Sequence, residues 1–198
     1  MPKLSRITSH KKELLAGVVL GLILGITIFL TNPALRNLDI LNQPLPATSN
    51  SPNGISLIPG TTAPDFTLAD AHTEQPVSLS NFKGQPVILN FWATWCGPCK
   101  IEMPHLQDAH NNYHSSGVTI LAINSGEDSK TVLSFASELN LTFPMLLDST
   151  GTVQQQYQIR GFPSTVFIHK DGTIAHNHIG MISADLLIQR IEQISLFR

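Results

Sequence analysis

The stretch Pro86-Val-Ile-Leu-Asn-Phe-Trp-Ala-Thr-Trp-Cys-Gly-Pro-Cys-Lys-Ile-Glu-Met-Pro104 sets the architecture. Pro86 to Ala93 is a nearly continuous apolar run, as expected of a central strand covered on both faces. A helix is predicted to follow from about Cys99 to His114, and Pro98 suits its first turn, where the missing N–H would have had no partner. Both cysteines of the chain therefore sit where a buried strand hands over to a helix.

That position has chemical consequences. N–H groups at a helix N-terminus carry partial positive charge, which favours the Cys96 thiolate and lowers its pKa below the free-cysteine value of about 8.5. With two residues between them, the sulfurs can meet within one turn, so Cys96 can attack a substrate disulfide and Cys99 can resolve the mixed disulfide. The pair itself carries the electrons, so no separate cofactor or metal is called for. Two blander readings remain. A static disulfide would make no use of a tight exposed loop, and half a zinc site lacks two further ligands.

Outward from this segment, strand and helix alternate. Asp65 to Leu68 and Val77 to Leu79 suggest a small N-terminal hairpin. Val118 to Asn124 reads as a second buried strand and Met145 to Leu147 as a third. Between them, Lys130 to Leu139 forms a helix with Val132, Leu133, Phe135, Ala136 and Leu139 on its apolar side. A short helix after Gly151 carries Val153 and Tyr157. Ser164 to His169 and Thr173 to His178 then form a hairpin around Lys170-Asp171-Gly172. A final helix, about Ala184 to Ile194, is expected to bury Leu187, Ile188, Ile191 and Ile194. This order gives an α/β fold: one central mixed sheet flanked by helices.

Asn90 to Pro104 resembles the active-site segment of thioredoxin-fold disulfide reductases of the membrane-tethered TlpA/ResA-like group, also called redoxins. The resemblance extends to Ala63-Pro-Asp-Phe-Thr-Leu68, Leu141-Thr-Phe-Pro-Met-Leu-Leu-Asp148 and Gly161-Phe-Pro-Ser-Thr-Val-Phe-Ile168, covering most of residues 61 to 182. It implies a thioredoxin-like fold and an exported, membrane-held protein that reduces protein disulfides, often those of apocytochrome c before haem attachment. It implies Cys96 as the attacking thiol, Cys99 as the resolving one, and Pro163 as a cis-proline facing the pair. A proline there offers no N–H and leaves the Phe162 backbone free to pair with an extended substrate segment.

Cytoplasmic thioredoxins usually carry a buried aspartate six residues before the first cysteine; here Asn90 stands there, and an amide cannot take a proton. Glu102, three residues after Cys99 and on nearly the same helical face, matches a glutamate of the ResA-like group and is the expected substitute. Partial burial would raise its pKa and suit it to proton exchange near neutrality; an ordinary first-turn acid favoured by the helix dipole is the plainer account. Trp95 is expected to shield the disulfide and, with Pro98, Phe162 and Pro163, to meet partners; a plain core tryptophan is the alternative. Pro104 is expected to kink the helix by removing one backbone hydrogen bond. His110 and His114, and His176 and His178, are spaced to share a face, but neither pair has a third ligand nearby, and solvated histidines are the expectation.

Composition bounds the rest. The 198 residues are 42% hydrophobic and 13% charged, with two cysteines, which excludes a disulfide-stapled miniprotein and a mostly disordered chain. Residues 61 to 198 hold seven basic and 12 acidic side chains, a net charge of −5, so a nucleic-acid partner is not expected.

Lys3, Arg6, Lys11 and Lys12 precede an uncharged apolar run of 17 residues, Leu14 to Leu30. A helix rises about 1.5 Å per residue, so this run reaches roughly 25 Å against a hydrocarbon core of about 30 Å, enough to span with snorkelling lysines or local thinning. Thr31-Asn-Pro-Ala34 offers no A-x-A cleavage site, which favours a single transmembrane anchor over a cleaved signal peptide. The basic flank places residues 1 to 13 in the cytoplasm and the C-terminal domain outside it, in the cell membrane's oxidising surroundings. Gly17, Gly21 and Gly25 fall on one helical face and would permit weak pairing of two anchors. Residues 31 to 60, with five prolines and five asparagines, read as a flexible linker before the thioredoxin-like domain at 61 to 198.

The leading expectation is a thiol-disulfide oxidoreductase acting as a reductant, because Gly-Pro between the cysteines matches thioredoxin, whose potential is about −270 mV against about −120 mV for the oxidant DsbA. Its partners would be disulfide-bonded proteins and, as electron donor, a membrane-embedded thiol carrier. The alternatives are an oxidant of exported proteins, a thiol peroxidase, which typically has threonine where this chain has Ala93, and a copper or zinc chaperone using the thiolate pair.

Overall fold

The structure, a computed structural model, describes residues 57–196. The expected cytoplasmic segment, the anchor at 14–30 with its glycine face, and the linker up to residue 56 lie outside the described residues. Among the described residues, no helix is long and apolar enough to cross a membrane.

The described residues form seven strands and four α-helices in the order β1 (Thr67–Asp70), β2 (Pro76–Ser78), β3 (Val87–Trp92), α1 (Gly97–Tyr113), β4 (Thr119–Ser125), α2 (Ser129–Glu138), β5 (Met145–Asp148), α3 (Thr152–Gln156), β6 (Ser164–Ile168), β7 (Ile174–Ile179) and α4 (Ala184–Leu196). They build one sheet in the order β2-β1-β5-β4-β3-β6-β7. The β3–β4 and β4–β5 pairs are parallel, as βαβ crossovers require; the β3–β6, β6–β7, β1–β2 and β1–β5 pairs are antiparallel. The sheet is thus mixed, with β3 central and all six of its residues buried. The expected N-terminal hairpin forms, and its first strand also docks along β5.

Strand alternation divides β3 between two cores. Ile88 and Trp92 face α1, α2 and α4, where they meet Met103, Leu106, Val132 and Leu187; Val87, Leu89 and Phe91 face Val153 and Tyr157. Tyr157 is fully buried and donates its hydroxyl hydrogen to the Pro64 carbonyl at 2.6 Å, tying α3 to the start of the domain. Leu57, the first described residue, packs against this second core, and the Gly60 N–H donates to the Ile174 carbonyl at 2.8 Å. Gly172, with φ +85°, closes the β6–β7 turn in a conformation that side chains resist.

Two local expectations, for Ile188 and Glu102, need adjustment, and one alternative, for Trp95, falls. Ile188 is 37% exposed rather than buried, because Leu187, Ile191 and Ile194 fill the inward stripe of α4 and a neighbour of Leu187 points about 100° away from it. Trp95 is no core tryptophan: it is 71% exposed. Glu102 is buried outright, at 1% exposure, rather than partly. Helix α1 continues through Pro104 to Tyr113.

Candidate active site

The site lies where β3 ends. After Trp92 the chain turns through Ala93, Thr94 and Trp95, and Cys96 becomes the N-cap of α1, with Pro98 in the first turn. Cys96 and Cys99 are joined by a disulfide, and the Cys99 N–H donates to Cys96 Sγ at 3.2 Å. A backbone donor of the helix start therefore points at the sulfur expected to attack, the arrangement that favours a thiolate once the bridge opens.

Antiparallel pairing of β3 with β6 sets Phe91 opposite Ser164, so the Phe162-Pro163 segment arrives at the same end of the sheet. The Phe162–Pro163 peptide bond is cis. The Phe162 ring meets Trp95 edge-on, with centroids 5.8 Å apart. The Pro163 carbonyl accepts from Gly180 N–H at 2.8 Å, leaving this loop held from the β7 side. Around the disulfide, Trp95, Gly97, Pro98 and Ile101 are exposed while both cysteines are buried, so an apolar rim surrounds a nearly covered bridge.

Glu102 is buried on α1, one turn beyond Cys99. Its Oε1 accepts from Asn90 Nδ2 at 2.7 Å and its Oε2 from Ile182 N–H at 2.6 Å. Burial pushes its carboxyl up from 4.5 to about 7, outweighing the two hydrogen bonds, which pull the other way. Asn90 Nδ2 also donates to Thr165 Oγ1 at 3.2 Å. The role of Asn90 was not legible from its position alone, although an amide inside an otherwise apolar strand signals a buried partner. The donor from Ile182 carried no signal, since every residue but proline has an N–H.

Among the described residues, no three His, Cys, Asp or Glu side chains gather closely enough to hold a metal ion. His110 and His114 do share a face, with ring centroids 4.8 Å apart; burial, and then His114, hold the His110 pKa below its usual value.

Fold and site define a redoxin, and the comparisons agree: residues 59–177 match the AhpC/TSA family, to which this chain belongs. Among relatives, the thiol-disulfide oxidoreductase ResA of Geobacillus thermodenitrificans is 38% identical over 135 residues, spanning 68% of this chain and 77% of the relative. Among solved structures, StoA from Bacillus subtilis is 31% identical with a TM-score of 0.57, covering 67% of this chain and 98% of StoA. A secreted Mycobacterium tuberculosis disulfide oxidoreductase, described as homologous to E. coli DsbE, is 30% identical with a TM-score of 0.58, covering 65% and 95%. The chain is a thiol-disulfide oxidoreductase, and it carries a close, disulfide-joined pair in Cys96 and Cys99.

Proposed function

We propose that this oxidoreductase works outside the cytoplasm, held to the membrane by residues 14–30, and reduces disulfides of exported proteins, among them the C-x-x-C-H segment of apocytochrome c. The observation that carries the redox reading is the Cys99 N–H directed at Cys96 Sγ across the bridge, with a buried acid one turn further along the helix. The ResA resemblance supports the substrate class, and the secreted relative supports the compartment.

The reaction starts from the reduced pair. The Cys96 thiolate attacks one sulfur of the substrate disulfide, forming a mixed disulfide and expelling a substrate thiolate. Glu102 in its ionised form takes the proton from Cys99, directly or through a water, and the Cys99 thiolate attacks Cys96 Sγ. The second substrate thiolate leaves, the Cys96–Cys99 bridge forms, and two electrons have passed to the substrate. The two protons lost by the enzyme thiols match the two gained by the substrate. The exposed rim of Trp95 and Pro98, with Phe162 and Pro163, receives the substrate segment. A membrane thiol carrier returns the dithiol state.

Trapping tests this reading. Cys99→Ser in the full chain should accumulate mixed disulfides on Cys96 with exported proteins, identified by mass spectrometry, and Cys96→Ser should not. Failure to capture any disulfide partner would count against exchange; capture of cytoplasmic proteins alone would count against the compartment.

A further inference from the structure

We infer that Glu127, on the loop joining β4 to α2, is a positioning residue for Cys96: its carboxylate clamps Thr94 in the turn that delivers Cys96 to the head of α1. The inference rests on the exchange reading above.

The geometry comes from both loops. Glu127 Oε2 accepts from the Thr94 backbone N–H at 2.7 Å, and Oε1 accepts from the Thr94 hydroxyl. Oε2 also accepts from Asn124 Nδ2 at 2.7 Å, while the Glu127 N–H donates to Asn124 Oδ1 at 3.3 Å. Asn124 is fully buried at the end of β4, in register with Trp92 of β3. Glu127 is therefore fixed from its own side by a rigid strand end and holds its neighbour from there.

Its target is well chosen for control of the sulfur. Thr94 lies two residues before Cys96, and the Cys96 N–H donates to the Ala93 carbonyl at 3.2 Å, so Thr94 sits inside the turn that closes on Cys96. Among the described residues, no Lys or Arg lies within ion-pair distance of Glu127; the one Lys/Arg–carboxylate pair is Lys100–Glu138. Three neutral donors converge on a half-buried carboxylate, two of them from the turn before the nucleophile. Hydrogen bonds to a charged group are among the stronger ones, and converging on one carboxylate they hold a loop in one geometry.

The test uses the full chain, reduced beforehand, with insulin as the disulfide substrate and ultraviolet absorbance to titrate the Cys96 thiolate. Glu127→Ala removes every acceptor for Thr94; the Cys96 pKa then rises towards the free-cysteine value. For a thiol titrating above the assay pH, each unit of rise removes about tenfold thiolate and restores about threefold nucleophilicity, so exchange slows about three- to fourfold per unit. Glu127→Gln keeps one acceptor for the Thr94 N–H and should recover most of that loss. Thr94→Val should give a smaller loss that disappears in the Glu127→Ala background, and it carries the test where the alanine variant does not fold. A titration unmoved in folded Glu127→Ala or, where that variant does not fold, in Thr94→Val overturns the inference. So does an equal shift in the alanine and glutamine variants, which would mark a charge effect. If the unmodified chain reduces no insulin, the exchange reading itself fails, which the variants alone could not show.

Discussion

The Asn90 side-chain amide donates to Glu102 Oε1 at 2.7 Å, joining two buried residues 12 positions apart in sequence. The amide that occupies the position of an aspartate in cytoplasmic thioredoxins is thus coupled directly to the acid proposed to take over its proton transfer. Glu102 is half-ionised near pH 7 because burial disfavours its charge. Only the ionised form can accept the Cys99 proton. Resolution of the mixed disulfide should therefore accelerate as pH rises through about 7. Glu102→Gln should lose that inflection and slow resolution about hundredfold, at the lower end of general acid–base effects. Rapid-quench measurement of mixed-disulfide lifetime against pH reads both; an unchanged profile in the variant would remove Glu102 from proton transfer.

The same burial links folding to pH. The native carboxyl holds its proton up to about 7, whereas the unfolded chain releases it near 4.5. Between these values the native state binds more protons than the unfolded one, so stability falls as pH rises and levels off above about 7. The full swing is on the order of 3 kcal/mol. Burial is also the chief cause that lowers the pKa values of His110 and His176. They contribute in the opposite sense, so the diagnostic quantity is the difference between the unmodified chain and Glu102→Gln. Urea midpoints at several pH values should converge at high proton concentration and separate as alkali is added, with the glutamine variant the flatter curve.

Restoring the aspartate should not restore a simple thioredoxin. Asn90→Asp would set two carboxyls within hydrogen-bond distance in a buried place, and like charges there cannot both ionise cheaply. The pair should titrate in two macroscopic steps, the second shifted by about a unit or more above the single step of the unmodified chain. The inflection in resolution rate should move to higher pH with it. An unshifted single inflection would mean that the two side chains separate in solution.

Much of this arrangement could be read in advance where the signal was local. The run from Pro86 to Ala93 announced a strand buried on both faces, and the spacing of Cys99 and Glu102 put the two on nearly the same face of the helix that follows. Long-range partnerships were harder. Ile182 lies 80 residues from Glu102 and contributes only a backbone N–H, and Glu127 reaches Thr94 across 33 residues from another loop. Neither contact leaves a residue pattern, because both depend on how strand ends align in the finished sheet. Docking of β1 along β5 was invisible for the same reason. Ile188 shows the converse limit: an apolar residue beside an apolar stripe is not thereby part of it.

Trp95 provides the sharpest separation of docking from chemistry. Its ring is 71% exposed and touches the fold through an edge-on contact with Phe162 at 5.8 Å. An aromatic pair of this kind contributes about 0.5–1.5 kcal/mol, so Trp95→Ala should lower stability by no more than about 1.5 kcal/mol. A protein substrate is expected to bury the ring on docking, and losing it should reduce kcat/KM for insulin about tenfold, the equivalent of about 1.4 kcal/mol of contact. Glutathione disulfide is too small to cover the rim and should be reduced at nearly the unmodified rate. Parallel steady-state assays with the two substrates decide the matter. Equal losses on both would place the tryptophan's effect on Cys96 itself, through the turn it shares with Thr94, and would leave the substrate segment to be held by the Phe162-Pro163 side alone.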